Sequence, residues 1–348
     1  CERDLMSSNN ALIDALTLRQ ILIERYSKGE SIRLLRHLKR LSADLKKVVG
    51  NEYATARAVN LAKQTEQITK AYLIEYGDDM MAGLRDFSET ESAFARQAII
   101  ATTAAEVTAP ASIAQLHSAL TRVPMKLIVG KRTEVLTVNQ AVSTFSKKRS
   151  KEVAQLIRDG YTVGKTSQQM VNEISELVGG KIKNQAASLV RTTTNHMGAQ
   201  ARSMTYAAND DVIMGEEYVA TLDSRTTISC AGFDGEIFPI GSGPMPPLHW
   251  GCRSVRTPKV NPKYDLGSDI VGDRASVNGP VSGSVTYGGW LGRQGTDVQN
   301  EVLGIERAKI FRSGKLSISK FSDDSGKVYS LKRLEELNPL AFKRASST

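Results

Sequence analysis

Apolar residues recur at helical spacing through the first hundred residues, and no proline interrupts them. Intervals of three and four separate a row of leucines, which predicts an amphipathic helix with one buried face. These leucines are Leu34, Leu38, Leu41 and Leu45.

The predicted helices span residues 9–28, 30–49, 52–76 and 78–105. On the first of them, the apolar side consists of Leu12, Leu16, Ile21 and Tyr26. Because Lys28-Gly29 resembles a helix end, we expect an antiparallel helical bundle or hairpin array.

The pattern loosens over residues 106–136, around Pro110 and Pro124, and then becomes helical again. Gly179-Gly180 should stop one of the helices that follow, because glycine favours helix ends. The helices predicted here span residues 137–160, 166–178 and 182–208.

Beyond residue 211 the pattern changes to short runs typical of β-strands. The strand candidates lie at residues 212–220, 236–238 and 254–256. Residues 262–289 are rich in Gly, Ser and Val, so we expect an exposed loop or arm there. Helices are predicted over 290–312 and 330–345, and Leu316, Ile318 and Phe321 alternate like a short strand.

The predicted fold class is α+β and mostly α. An N-terminal helical bundle or hairpin array precedes a small α+β module with a Cys/His/Pro-rich loop, and a helical tail follows. The predicted divisions are residues 1–109, a connecting region 110–180, the α+β module 181–260, a Gly/Ser-rich loop or arm 261–289, and C-terminal helices with a short hairpin 290–348.

The chain carries a net charge of +9 and has a pI of about 9.4. A basic surplus favours polyanionic partners such as double-stranded DNA, bound without sequence preference. The alternative is that the charges only keep helix faces solvated. The candidate DNA- or partner-binding residues are Arg33, Arg36, Lys39, Arg40, Lys46, Lys47, Lys147, Lys148, Arg149 and Lys151.

Three cysteines are too few for a disulfide scaffold. No apolar run is long enough to span a membrane, and we expect neither a secretory signal nor a lipid anchor at Cys1. Cys230, His249 and Cys252 could bind zinc, with Asp223, Asp234 or a water completing the set. The alternative is two small buried cysteines beside a histidine that hydrogen-bonds to the loop backbone, and a disulfide would need oxidising surroundings.

Prolines make residues 244–249 stiff and extended, because each proline restricts its own φ angle and the residue before it. We expect Pro246 and Pro247 to lay the His249–Cys252 turn against residues 223–225. The rival interpretation is a Pro-rich ligand for a partner domain.

Several blocks of residues 185–345 resemble the Mu F-like head-morphogenesis family, the minor head proteins of tailed bacteriophages. They include Arg-Thr-Thr-Thr-Asn at 191–195, the 221–230 segment, Asp-Gly at 234–235, Pro-Pro-Leu-His-Trp-Gly-Cys-Arg at 246–253, and the tail after 287. The chain departs from the family where Thr227 occupies a position often held by cysteine. The motif residues are Arg191, Asn195, Asp223, Arg225, Asp234, Gly235, Pro246, Pro247 and Arg253.

The resemblance implies a structural virion protein, present at low copy in the phage head interior or near the portal vertex. It also implies assembly in the bacterial cytoplasm and contacts with the portal, with capsid or scaffold proteins, and with packaged DNA. We expect binding and positioning rather than catalysis, with Arg191 pairing with Asp223 or Asp234. The alternative is an internal protein ejected into the host with ADP-ribosyltransferase-like or toxin-like activity. Glu216, Glu217 and Glu236 would be available to it, but no pattern selects one.

Overall fold

A computed structural model describes residues 8–105, 112–265, 273–313 and 315–347. The fold is mostly helical with small antiparallel sheets, as predicted. Among the described residues, no helix is both long and apolar enough to cross a membrane. Cys1, Pro110 and Gly314 lie outside the described residues, as does the predicted boundary at 109/110.

The N-terminal part is a hairpin of two long helices, α1 (Ser8–Glu52) and α2 (Ala58–Thr102), each of 45 residues. The prediction of four shorter helices was therefore wrong, because Gly29 and Gly77 lie inside continuous helices. A glycine costs a helix only about 1 kcal/mol, which tertiary packing can offset. At Gly77, a Cβ atom would stand 2.6 Å from the Val142 side chain, so glycine allows helices to approach closely.

The leucine row of α1 is buried, which confirms the predicted helical face. Leu41 and Leu45 are fully enclosed. Ile21 was assigned to the apolar side but is exposed, because the buried face of α1 runs through Leu16, Gln20 and Ile23 instead.

Residues 112–207 hold more regular structure than the sequence suggested. The predicted loose passage contains α3 (Ile113–Arg122) and an antiparallel hairpin of β1 (Met125–Val129) and β2 (Arg132–Leu136). The helices that follow are α4 (Val138–Val163), α5 (Ser167–Glu176) and α6 (Lys183–Ala207). Gly179-Gly180 does not stop a helix as predicted, because a π-helical segment, Leu177–Ile182, carries the chain into α6.

A three-stranded antiparallel sheet follows α6, with β3 (Ile213–Val219) between β4 (Ile237–Phe238) and β5 (Val255–Val260). A register shift between Ile213 and Gly215 interrupts the regular pairing of β3 with β5. The short helix α7 (Ile228–Phe233) lies between β3 and β4. We call residues 213–260 the β module.

The C-terminal part departs most from prediction. The expected exposed arm contains a hairpin, β6 (Asp273–Ser276) with β7 (Gly279–Ser282), and the side chain of Arg274 is buried. The single helix expected over 290–312 is divided by Gly295 and Gly304, and the expected strand around Ile318 is a 3-10 turn. The remaining helices are α8 (Tyr287–Gly292), α9 (Thr296–Leu303), α10 (Ile305–Arg312), α11 (Leu331–Leu337) and α12 (Pro339–Ser346).

Two of the four hydrophobic clusters among the described residues are much larger than the others. One is shared by α1, α2, α4, α5 and α6, and thus by residues on both sides of positions 109 and 180. The other joins the β module to the C-terminal helices through Tyr218, Trp290 and Phe321. The domain divisions stay a prediction, since helices assigned to different domains contribute to the first core.

Candidate functional site

The structure brings together Cys230, His249 and Cys252, which are separated by up to 22 residues in the chain. Cys230 lies in α7, where its backbone N–H donates to the N-cap Thr227 hydroxyl. His249 and Cys252 are joined by a tight turn before β5, in which the Cys252 N–H donates to the His249 carbonyl. The three ligand atoms lie within 4.8 Å of one another, and the two sulfurs are 3.7 Å apart.

Burial and hydrogen bonding give the two thiols different properties. Burial raises the pKa of Cys252, but hydrogen bonds from Cys230 and from the backbone at Leu248 and Ser254 outweigh it and lower the pKa to about 6. The pKa of Cys230 is raised, because this thiol donates to Cys252 and is buried. The pair therefore favours one thiolate and one thiol.

Neither aspartate expected to complete a metal set is available, so that part of the prediction was wrong. Asp223 accepts from the Arg253 guanidinium through both of its oxygens, one of them at 2.8 Å, and also from Arg225 at 3.2 Å. Burial raises the pKa of Asp223, but these two arginines outweigh burial and hold it below its usual value. The candidate metal group among the described residues contains no carboxylate.

Asp234 forms a second buried ion pair, with Arg274 of β6. Its carboxylate accepts from the Arg274 guanidinium at 2.5 and 3.0 Å and from the backbone N–H groups of Ala220 and Tyr287, both at 2.6 Å. Gly235 follows with a φ of +84°, which suits glycine, and its N–H donates to Tyr218. Sequence reasoning missed Arg274, although a lone arginine in a small-residue segment was a usable signal.

A third pair, Arg256 with Glu216, joins β5 to β3 at 2.8 Å, and both side chains are about 1% exposed. No sequence pattern selected Glu216 over Glu217 or Glu236. Strand alternation could have shown that Glu216 and Tyr218 share a face.

The two predicted motif residues of α6 contact different parts of the molecule. Arg191 donates to Glu24 of α1 at 3.0 Å, so the expected pairing with Asp223 or Asp234 was wrong. The reason is that Arg191 lies on the side of α6 that faces α1. Asn195 donates to the carbonyls of Cys252 and Ser254, both at 3.1 Å, and so ties α6 to the Cys/His turn.

The proline-rich segment leads into this turn as expected. The peptide bond between Pro246 and Pro247 is cis. The Leu248 carbonyl accepts a hydrogen bond of 2.6 Å from Ile128 of β1. Arg253 follows the turn directly, and its guanidinium donates to the Asp223 carboxylate at 2.8 Å. This hydrogen bond agrees with the predicted contact between residues 249–252 and 223–225.

The basic clusters lie mostly in solvent. All six candidate residues of α1 are exposed, and so are Lys147, Lys148 and Lys151 of α4. Arg149 is buried and donates to Glu152 and Gln185, so its assignment to a DNA- or partner-binding face was wrong. Helix periodicity turns Arg149 inward while its neighbours point outward.

The fold and the site define a mostly helical protein with a compact α+β module that is closed by buried ion pairs and a Cys/His cluster. Residues 151–257 match the family model described as Phage Mu protein F like protein, so the chain carries a Phage Mu protein F-like domain. This family comprises phage head-morphogenesis and minor head proteins. The match confirms the resemblance for these residues, and the tail lies outside it. No curated protein and no solved structure matches the chain.

Proposed function

We propose that this protein is a minor head protein of a tailed phage, incorporated in the virion at low copy near the portal vertex. The observation that carries the proposal is the Mu F-like domain, which extends from α4 through β5. The α1–α2 hairpin packs against α4 and α6 of this domain, and the exposed side of α1 is suited to docking on the portal, the capsid or the scaffold. The protein acts by binding and positioning.

The arrangement of carboxylates supports a non-enzymatic role. Asp223, Asp234 and Glu216 each bind an arginine, and this leaves them poorly suited to act as general bases or nucleophiles. The candidate with a different function is an ejected transferase, and it would need a carboxylate free to meet substrate. Glu236 is exposed and stays available to that alternative, and the charged groups that act on its carboxylate are Asp324 and Lys320.

The basic face of α1 supports contact with packaged DNA. Residues 33–47 span about 21 Å of helix, which is about six base pairs of B-DNA. Arg33 pairs with Glu30 and Arg40 with Glu75, both at the surface. Among the described residues, Arg36, Lys39, Lys46 and Lys47 have no carboxylate partner, so they are free to meet phosphates.

Co-purification with the portal protein of the same phage tests the central proposal. The full chain, expressed with tagged portal protein, should remain bound through a high-salt wash. Portal protein from an unrelated phage is the control. Equal recovery on both portals, or on neither, would contradict a specific portal contact.

Salt-dependent DNA binding tests the α1 face, and α4 offers a matched control. Replacing Lys39, Lys46 and Lys47 with alanine should reduce the slope of log K against log salt by about 2 to 3, at about 0.9 for each lost phosphate contact. The same change at Lys147, Lys148 and Lys151 removes equal charge from α4. If the α4 variant reduced the salt slope more than the α1 variant, the DNA-binding face would lie on α4 instead.

A further inference from the structure

A buried group of soft ligands lies where α7, the 249–252 turn and β3 meet. The side chains of Cys230 and Cys252 are 1% and 0% exposed, so no substrate reaches them. Two sulfurs and an imidazole are a donor set that Zn²⁺ prefers. A site closed to solvent is typical of structural zinc rather than catalytic zinc, which keeps one position open.

The distances fit tetrahedral coordination. Two sulfurs bound to zinc at about 2.3 Å stand about 3.8 Å apart, and here they are 3.7 Å apart. The three ligand atoms lie within 4.8 Å of one another, so the set needs to contract by only about 1 Å. Two thiols in hydrogen-bonded contact have a similar separation, so the choice depends on the surrounding groups.

Those surroundings favour a metal. The Nδ1 atom of His249 lies 3.1 Å from the Trp250 carbonyl. Because a carbonyl can only accept, Nδ1 carries the proton, and the lone pair of Nε2 is left to bind an ion. Zinc-bound histidines are usually fixed in this way by a hydrogen bond from the other ring nitrogen.

The fourth position has a candidate that the sequence did not suggest. Tyr218 of β3 is fully buried, and its hydroxyl faces the two sulfurs. The hydroxyl approaches Cys230 and Ser254, but neither contact has the geometry of a hydrogen bond, so its oxygen is left without a partner. A buried hydroxyl oxygen without a hydrogen-bond partner is usually satisfied by a bound ion or an ordered water.

We propose that Cys230, His249 and Cys252 bind one structural Zn²⁺, with the Tyr218 hydroxyl at the fourth position. Zinc binds the thiolate forms of the two cysteines in competition with protons, so affinity should fall as the pH is lowered. The ion joins α7, the turn before β5, and β3. Asn195 extends the connection to α6 through the carbonyls of Cys252 and Ser254.

Metal analysis of the purified full chain is the first test. After incubation with Zn²⁺ and dialysis, we expect one zinc per chain, and none in Cys252→Ser. Cys1→Ser removes a thiol outside the described residues and should retain full occupancy. A chelator should lower the Tm of the wild-type chain by roughly 5–10 °C. A wild-type chain that retains no zinc, or a Cys230–Cys252 disulfide in peptide maps made without reductant, would overturn the site.

Cobalt substitution of the wild-type chain tests the geometry without relying on a variant that folds poorly. Co²⁺ should give the intense visible bands of a tetrahedral site and the charge-transfer absorption of two thiolates. An octahedral spectrum would overturn the proposal.

Tyr218→Phe then tests the fourth position by removing one oxygen. It should shift the visible bands and weaken zinc binding by roughly 10–100-fold. Unchanged bands and unchanged affinity would show that Tyr218 is not a ligand.

Discussion

The second half of α1, residues 31–52, and the β module bury very different side chains. Along this half of α1, leucines fill the interface and the charges point to solvent. In the β module, two acidic side chains are buried in ion pairs, Asp234 with Arg274 of β6 and Glu216 with Arg256. Apolar packing tolerates substitutions of similar size, whereas a buried ion pair depends on both of its partners. The second half of α1 should therefore be the more tolerant region and the β module the more specific one.

The largest effect should come from breaking the Asp234–Arg274 pair. Asp234→Asn leaves a buried guanidinium without its counter-charge and should lower the free energy of unfolding by about 3–5 kcal/mol. Asp324→Asn, at an exposed position, is the control and should change it by less than about 0.5 kcal/mol. Denaturant unfolding measures both. Similar small losses in the two variants would show that the pair does not hold the module together.

In the hairpin, removal of a core leucine should cost somewhat less. Leu41→Ala creates a cavity at a fully buried position and should cost about 2–5 kcal/mol. Leu18→Ala, on the same helix but 55% exposed, should be nearly neutral. If the two variants unfolded at the same denaturant concentration, the assignment of the buried face of α1 would be wrong.

His196, at the junction between α6 and the β1–β2 hairpin, should make stability depend on pH. Burial lowers the pKa of its imidazole from 6.5 to about 4, although the hydrogen bond with the Val123 carbonyl opposes this shift. The unfolded state then binds more protons below pH 6.5. The free energy of unfolding should therefore fall by about 3 kcal/mol as the pH decreases from 6.5 to 4. Below pH 4 the histidine is protonated in both states, so it causes no further change.

Comparison with His196→Gln isolates this dependence from the titration of carboxylates. The free energy of unfolding of the wild-type chain, minus that of His196→Gln, should decrease steadily from pH 6.5 down to pH 4. A constant difference over that range would mean that folding leaves the pKa of this histidine unchanged.

The smallest effect should come from the α1 surface. Replacing Lys39, Lys46 and Lys47 with alanine should change the free energy of unfolding by less than about 0.5 kcal/mol per residue. Thermal unfolding beside wild type measures this, and a large loss would show that these lysines support the fold rather than a partner.

The same contrast separates what the sequence could predict from what it could not. Periodicity identified the helical face of Leu34 to Leu45, and Cys230, His249 and Cys252 were grouped correctly from their spacing alone. Gly29 was misread as a helix end, and α2 was wrongly divided between residues 76 and 78, because local propensity does not include packing between helices. Arg274, Arg256 and Tyr218 were missed, because their roles depend on contacts between segments that are distant in the chain.

Quantitative mass spectrometry of purified phage particles tests the central claim most directly. Peptides of this chain should appear in intact particles at a fixed low ratio to the portal protein. They should remain at that ratio in particles emptied of DNA. Absence from intact particles, or loss together with the DNA, would contradict a portal-bound structural role and favour an ejected protein.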